Sequence, residues 1–509
     1  MPNKVYSGAI NACEAFLVDV EIDVSYGLPG FTIVGLPDAA VNEARERVRA
    51  AIKNNGIELP PRKIIINLAP ADKKKEGSSL DLPLAISLLS ALEKIPISFS
   101  NDFLFYGEMS LDGTLKHTKS VLPMAILAKE KKFKGIVIPF ENYAEAISIP
   151  GISVHAFNNI KEIISAFNSN QGFPNYSEKF KITRKLTENS SSIDFSEIIG
   201  HLNAKRALEI AASGGHNLLM NGFPGTGKTM LAKAFPKILP DLDFDESIET
   251  TKIYSIKGLL PPESGLLSKP PFRSPHHTIS DIALIGGGKH PSPGEVSLAH
   301  NGVLFLDEIP EFKRSVLEVL REPLTDGKVT ISRAVQTLNF PARFSLIAAM
   351  NPCPCGFYGD SEKSCQCSAQ NLKKYRQKIS GPLLDRIDLQ IHVPRIDYEE
   401  YFKKCSVETS EVILKRVIRA RKRQKIRRMG EKNYLNAFIP SNAIHEKIKL
   451  NPESETLLLK ANKAFFLSPR SHEKIIRIAQ TIADLDDSSE IKTPHVAEAI
   501  QFRVNENFL

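Results

Sequence analysis

The sequence predicts an α/β protein in three parts, and three observations carry that prediction. Strand-like and helix-like stretches alternate through residues 1–170. A glycine-rich loop at 222–229 joins an apolar strand to a helix. The last part places apolar side chains at helical spacing. The expected boundaries are a first domain at 1–170, a linker at 171–195, a core with a parallel sheet at 196–395 and a helical domain at 396–509.

Each element has a local reason. Phe31 to Gly35 reads as a strand. Pro37 and Asp38 then open a helix whose apolar residues Val41, Ala44, Val48 and Ala51 recur every three or four positions, and Asn55-Gly56 stops it. Lys63 to Leu68 is a short apolar strand, Leu82 to Leu92 a buried helix, and Gly135 to Pro139 another strand. Asn168 to Gly172 and Asn189 to Ser192 are polar and bury little, hence the linker. In the third part Ile475, Ile478, Ala479 and Ile482 mark one helical face.

Composition narrows the class. With 24% charged and 42% hydrophobic residues in 509, the chain is globular, which excludes collagen, fibrous coiled coil and wholesale disorder. The Leu82–Leu92 run is too short to cross a bilayer. No apolar signal core follows Met1-Pro-Asn-Lys-Val5, so a cytoplasmic location with no membrane partner is expected. Lys and Arg exceed Asp and Glu by 66 − 58 = 8, a balance that permits nucleic acid without demanding it. Four of the six cysteines cluster, which points to a metal more than to disulfides.

Gly222, Phe223, Pro224, Gly225, Thr226, Gly227, Lys228 and Thr229 match the phosphate-loop pattern G-x-x-x-x-G-K-[ST] in full. Glycines let the backbone N–H groups face an anion, and the following helix adds positive charge at its N-terminus. Lys228 is expected on the β- and γ-phosphates, and Thr229 on Mg²⁺. Gly302-Val-Leu-Phe-Leu-Asp-Glu308 is an apolar strand ending in two acids. Asp307 is assigned to the magnesium and Glu308 to the attacking water. Asn351 ends the strand Phe344 to Met350, where its amide either positions the water or starts an Asn-Pro turn.

More specific words surround these. Pro271-Phe-Arg-Ser-Pro-His-His277, Gly286-Gly-Gly288, the run from Pro293 to Glu308, Asn351-Pro-Cys-Pro-Cys-Gly356 and Gly381-Pro-Leu-Leu-Asp-Arg-Ile-Asp388 resemble the magnesium-chelatase-like AAA+ ATPases. Within that branch they resemble the YifB/ComM family of competence-related proteins, over essentially the whole chain. The resemblance implies ATP and Mg²⁺ as ligands and Asn351 as the sensor-1 residue. It implies Arg386 as an arginine finger inserted from a neighbour, and therefore a homo-oligomeric ring, most often a hexamer. It implies Arg470 as the lid arginine that reads its own subunit's phosphates. Read from spacing alone, each arginine is a surface ion-pair former.

Several features bear on the substrate. Lys328 to Phe340 alternates like a hairpin. It resembles a hairpin that faces the pore in related ring helicases, which would bring Lys328 and Arg333 to DNA phosphates. Lys289, beside Gly286-Gly-Gly288, stands in a second candidate pore loop. Solvated loop tips are the alternative for both. The segment Lys415 to Arg428 holds nine basic residues and reads equally as a phosphate track or as a lid face set against acids. Adjacent His276 and His277 point apart in extended chain and find no third ligand nearby.

Cys353, Cys355, Cys365 and Cys367 form C-x-C, nine residues, C-x-C. In extended chain residues i and i+2 share a face, so four thiolates can surround one structural Zn²⁺. Reduced thiols in a cytosolic loop are the alternative.

Lys74 to Pro83 and Gly107 to Gly113 resemble a Lon-protease-like domain. The resemblance sets Ser79 near that family's nucleophile but Leu122 at the place of its lysine, with Lys119 three residues away. It therefore implies a binding or coupling domain, with a helix cap as the alternative role for Ser79. The resulting expectation is an ATP-driven ring motor on single-stranded or branched DNA, with a branch-migration helicase role in transformation or recombination. A protein-remodelling chelatase-like motor is the first rival and an ATP-dependent protease the second.

Overall fold

The computed structural model describes residues 3–96, 101–168, 193–262, 264–288, 291–332, 337–395 and 408–503. The chain divides into two compact units, 1–187 with 244–267, and 188–243 with 268–509.

The first unit is built on a mixed seven-stranded sheet. Its centre is a long antiparallel hairpin, Asn3–Asn11 with Glu14–Ser25, which the sequence reading did not pick out. The expected Asp38-capped helix is there as Ala39–Asn54, burying Val41, Ala44, Val48, Ala51 and Ile52. Asp81–Ala91 is the buried helix, and Lys63–Ala69 and Gly135–Pro139 are strands as expected.

Helix Phe244–Lys257 belongs to this unit too, although the sequence reading kept it inside 196–395. Ser255 explains why. Its hydroxyl donates to the buried Glu145 carboxylate, and its carbonyl accepts from Ser120 N at 3.1 Å. Ile248 and Leu266 pack on the core formed by Leu104, Met124 and Tyr143.

The second unit carries a five-stranded parallel sheet. Across it the strands run Phe272–Arg273, Gly302–Leu306, Phe344–Met350, Leu218–Gly222 and Leu389–Val393. The loop strand Leu218–Gly222 thus lies between two later strands, where the connections diverge to opposite sides and leave a crevice at the carboxyl ends. The helical third part is not a separate core here. Ile413, Val417, Ile475 and Ile482 share one apolar cluster with Leu218, Met220 and Phe305. Most of the expected linker, 171–195, lies outside the described residues. Its last residue, Phe195, is already fully buried in that cluster.

Candidate active site

The phosphate loop leaves the sheet at Gly222 and enters helix Lys228–Ala234. Gly225 and Gly227 take φ of 79° and 82°, the left-handed region that lets the loop curl tightly. The Lys228 ammonium is buried and donates to the carbonyls of Gly222 at 2.6 Å and Phe223 at 2.8 Å, and to Asn351 Oδ1 at 3.2 Å. Burial lowers its pKa from 10.5 to about 8, with Asp307 and Glu308 opposing the shift. Asn351, at the end of strand Phe344–Met350, is thus in contact with the lysine.

Thr229 Oγ1 donates to Asp307 Oδ2 at 2.8 Å. These two oxygen donors, with the neighbouring Glu308, suit a small hard cation such as Mg²⁺. Glu308 is exposed at the end of the Gly302–Leu306 strand, and its φ of 51° is costly for a non-glycine residue. That turn separates its carboxylate from the Asp307 oxygen that accepts the Glu308 N–H at 3.0 Å.

Some neighbours of the loop were not legible in the sequence. The Phe223 ring sits edge-on to His392 at 5.7 Å and under the Arg395 guanidinium at 5.5 Å. His201, left-handed at φ 54°, begins helix Leu202–Gly214 beside Gly227, and Leu202 next to it is 81% exposed. No periodicity marks such residues, because two strand ends and a helix start bring them together.

The two arginines are elsewhere. Arg386 and Arg470 line one cavity of about 430 Å³ with Asn217, Phe344 and Asp388. Asn217, Phe344 and Asp388 stand at the starts of parallel strands, whereas the phosphate loop leaves at a strand end. Five strand residues, roughly 16 Å, separate the two places. Arg470, expected at its own subunit's phosphates, lines this cavity from the start of helix Pro469–Leu485. Arg386 donates to the carbonyls of Arg321 and Pro382 and to the Thr325 hydroxyl, at 3.1, 2.7 and 2.8 Å. Burial lowers its pKa, and the charges of Arg321 and Arg470 push the same way. Asp385 and Asp326, which also line the cavity, oppose that shift.

Most basic residues of helix Ser410–Arg427 are paired within their own unit. Arg416 pairs with Glu209 and Glu408, Arg427 with Asp484, Arg419 with Asp487 and Lys425 with Asp243. Arg421 donates to the Ala212 carbonyl at 2.7 and 2.9 Å, and Arg428 pairs with Glu431. Its charges fix the helix onto its own unit.

Lys328 is at the base of the expected hairpin, paired with Pro341, rather than near its turn. Arg333 and Lys289 lie outside the described residues. His276 and His277 do not point apart. A turn closed by Ile279 N to His276 O at 3.0 Å brings their rings to 4.1 Å.

The four cysteine sulfurs lie within 4.8 Å of one another, the only such ligand cluster among the described residues. Three of the separations are 3.3, 3.7 and 3.6 Å. A tetrahedron of sulfurs about 2.3 Å from zinc has edges near ~3.8 Å, so the geometry fits. Tyr358 N and Cys367 N donate to the Cys353 and Cys365 sulfurs at 3.3 and 3.4 Å.

In the first unit Ser79 hydrogen-bonds the Tyr106 phenol, whose burial raises its pKa to about 12, and Tyr106 also bonds Ser120. The Lys119 side chain instead runs along Gly258, and Leu122 is buried.

Comparison with known proteins agrees with this anatomy. Residues 194–401 match the family described as magnesium chelatase, subunit ChlI. Residues 20–142 match subunit ChlI of Mg-chelatase, and 407–503 match its C-terminal family. The chain is 41% identical over 502 residues to competence protein ComM of Haemophilus influenzae, covering 98% of this chain and 97% of that one. It is 39% identical over 507 residues to the uncharacterized protein YifB of Escherichia coli, covering 99% and 97%. It is 27% identical over 177 residues to the magnesium-chelatase 38 kDa subunit of Rhodobacter capsulatus, covering 31% and 50%.

Proposed function

The chain belongs to the ComM/YifB family of magnesium-chelatase-like AAA+ ATPases, and from that premise we propose that it forms a ring that uses ATP hydrolysis to move along DNA. The observation that carries the reading is that the Arg386–Arg470 cavity is lined by residues at the starts of the parallel strands, whereas Lys228 follows a strand end. A site whose loop and whose arginines sit at opposite ends of one sheet is completed by apposing two copies. Each protomer then supplies Lys228, Thr229, Asp307, Glu308 and Asn351, and its neighbour supplies both guanidiniums. A homo-hexamer is the ring size we favour.

Bound Mg²⁺ would neutralise charge on the β- and γ-phosphates. Lys228 binds and orients those phosphates, Asn351 holds the lysine, and the Glu308 carboxylate accepts the proton of the attacking water. Arg386 and Arg470 stabilise the charge that develops on the transferred group.

The DNA assignment draws on the competence name of the Haemophilus relative and on the Lys328–Ser332 and Thr337–Pro341 hairpin. The connection between these strands is the segment we assign to DNA contact through Arg333, and Lys289 is assigned to a second loop, with branched or single-stranded DNA as substrate. Lys328 is a lesser candidate because it is at the base. The test is the ATPase rate with and without forked, four-way, single-stranded and duplex DNA. Stimulation by branched DNA supports branch migration, and no stimulation by any DNA sinks it. The chelatase matches favour one alternative, a protein-remodelling motor, which would respond to a partner protein and not to DNA.

We also assign a structural Zn²⁺ to Cys353, Cys355, Cys365 and Cys367. Four thiolates leave no open position for catalysis. Thiols that stay reduced fit the cytoplasm, and no described helix is long and apolar enough to cross a membrane.

A further inference from the structure

We propose that the metal-holding cysteine loop is a strut that sets the shape of the phosphate loop, so that its metal content controls nucleotide affinity. The inference rests on the zinc assignment and goes beyond it, from a local staple to control of the ATP site.

One direct contact and a relay through Arg395 join the two loops. The Gly356 backbone lies against Pro224 of the phosphate loop, where a Cβ would come within 2.5 Å of Pro224 Cγ, and its φ of 87° is itself a glycine conformation. Asp360 and Glu362 of the cysteine loop hold Arg395, the former at 2.7 Å. Arg395 in turn covers the Phe223 ring at 5.5 Å. The loop also starts and ends at the site. Asn351, which bonds Lys228, is two residues before Cys353. Buried Tyr375, on the helix that follows Cys367, hydrogen-bonds the Asn351 backbone.

The direction of control follows from what each end is made of. Residues 352–367 form no helix or strand. Their order rests on the sulfur cluster, and four sulfurs this close repel as thiolates unless a cation binds them. At the other end, the Phe223 carbonyl accepts hydrogen bonds from both Lys228 and Thr226, at 2.8 and 2.9 Å. Releasing the cysteine loop frees Arg395 and Gly356, and with them the position of Phe223 and Pro224.

The experiment uses the full-length ring purified under reducing conditions. Metal per chain is measured directly. A mercurial then releases it, and binding of a fluorescent ATP analogue is titrated before release, after release, and after thiol reduction with one equivalent of Zn²⁺. Release should weaken binding about tenfold, with the circular dichroism spectrum retained, and zinc should restore it. The variant Arg395→Ala should keep its metal and still bind the analogue about fivefold more weakly. Metal bound at one per chain but released without change in affinity overturns the strut and leaves the zinc site standing. Below about half an ion per chain the zinc assignment itself fails, and the strut with it. If release unfolds the protein, Arg395→Ala decides alone, and unchanged affinity in that variant overturns the proposal.

Discussion

Thr229 and Asp307 are in direct contact, hydroxyl to carboxylate at 2.8 Å, between the helix that follows the phosphate loop and the end of strand Gly302–Leu306, two places along the sheet. Two oxygen donors from segments 78 positions apart in the chain thus sit where one magnesium ion would touch both. The variant Asp307→Asn should keep the loop but lose magnesium-dependent hydrolysis. The variant Glu308→Gln should bind ATP with near-normal affinity and turn over about 10²–10⁴-fold more slowly. Phosphate release and analogue binding separate the two effects. Normal turnover in Glu308→Gln removes that residue from the water.

The shared cavity of Arg386 and Arg470 makes a prediction about mixed rings. Each of Arg386→Ala and Arg470→Ala should cost about 10³-fold or more in hydrolysis as a pure ring. Mixing either with Lys228→Ala subunits should recover part of the rate, because some seams then pair an intact loop with intact arginines. If Arg470 acts within its own subunit, the Arg470→Ala mixture shows no recovery.

Asp388 fastens the helical part to the sheet. It pairs with buried Lys474 at 2.6 Å and accepts from Asn217 N at 3.0 Å. Burial would raise its pKa, but Lys474 and His216 hold it well below 3.8. Its contribution is therefore full above about pH 4 and is lost as the pH falls below that. The variant Asp388→Asn leaves Lys474 unpaired and should destabilise this unit by about 3–5 kcal/mol in urea unfolding at pH 7. A loss under about 1 kcal/mol would show the pair to be dispensable.

Ser79 faces a buried tyrosine hydroxyl. A phenol held at about 12 is a poor base at neutral pH, so Ser79 lacks the activation a nucleophile needs. Casein incubated with the ring and ATP should stay intact, and Ser79→Ala should leave ATP hydrolysis unchanged. ATP-dependent casein cleavage that disappears in Ser79→Ala would restore the protease reading.

Local rules recovered elements whose stability is local. The Asp38-capped helix was legible because its cap and its 3.6-residue stripe are both written in the chain. The phosphate loop and the Asp307–Glu308 strand were legible because their chemistry demands particular residue types in order. The Asn3–Ser25 hairpin escaped, since its two strands are buried only by partners far along the chain. Helix Phe244–Lys257 joins the first unit for a similar reason. Its place depends on Ser255 meeting Glu145, 110 positions away.

The order of residues determined the nucleotide chemistry, the four-sulfur cluster and the class of the fold. Tertiary structure alone decided where charge is free and where it is spent. The basic helix Ser410–Arg427 faces acids of its own unit, while Arg386 is held by carbonyls and a hydroxyl and keeps its charge. A sequence counts charges, but whether each one meets an opposite charge depends on distances that only the folded chain sets.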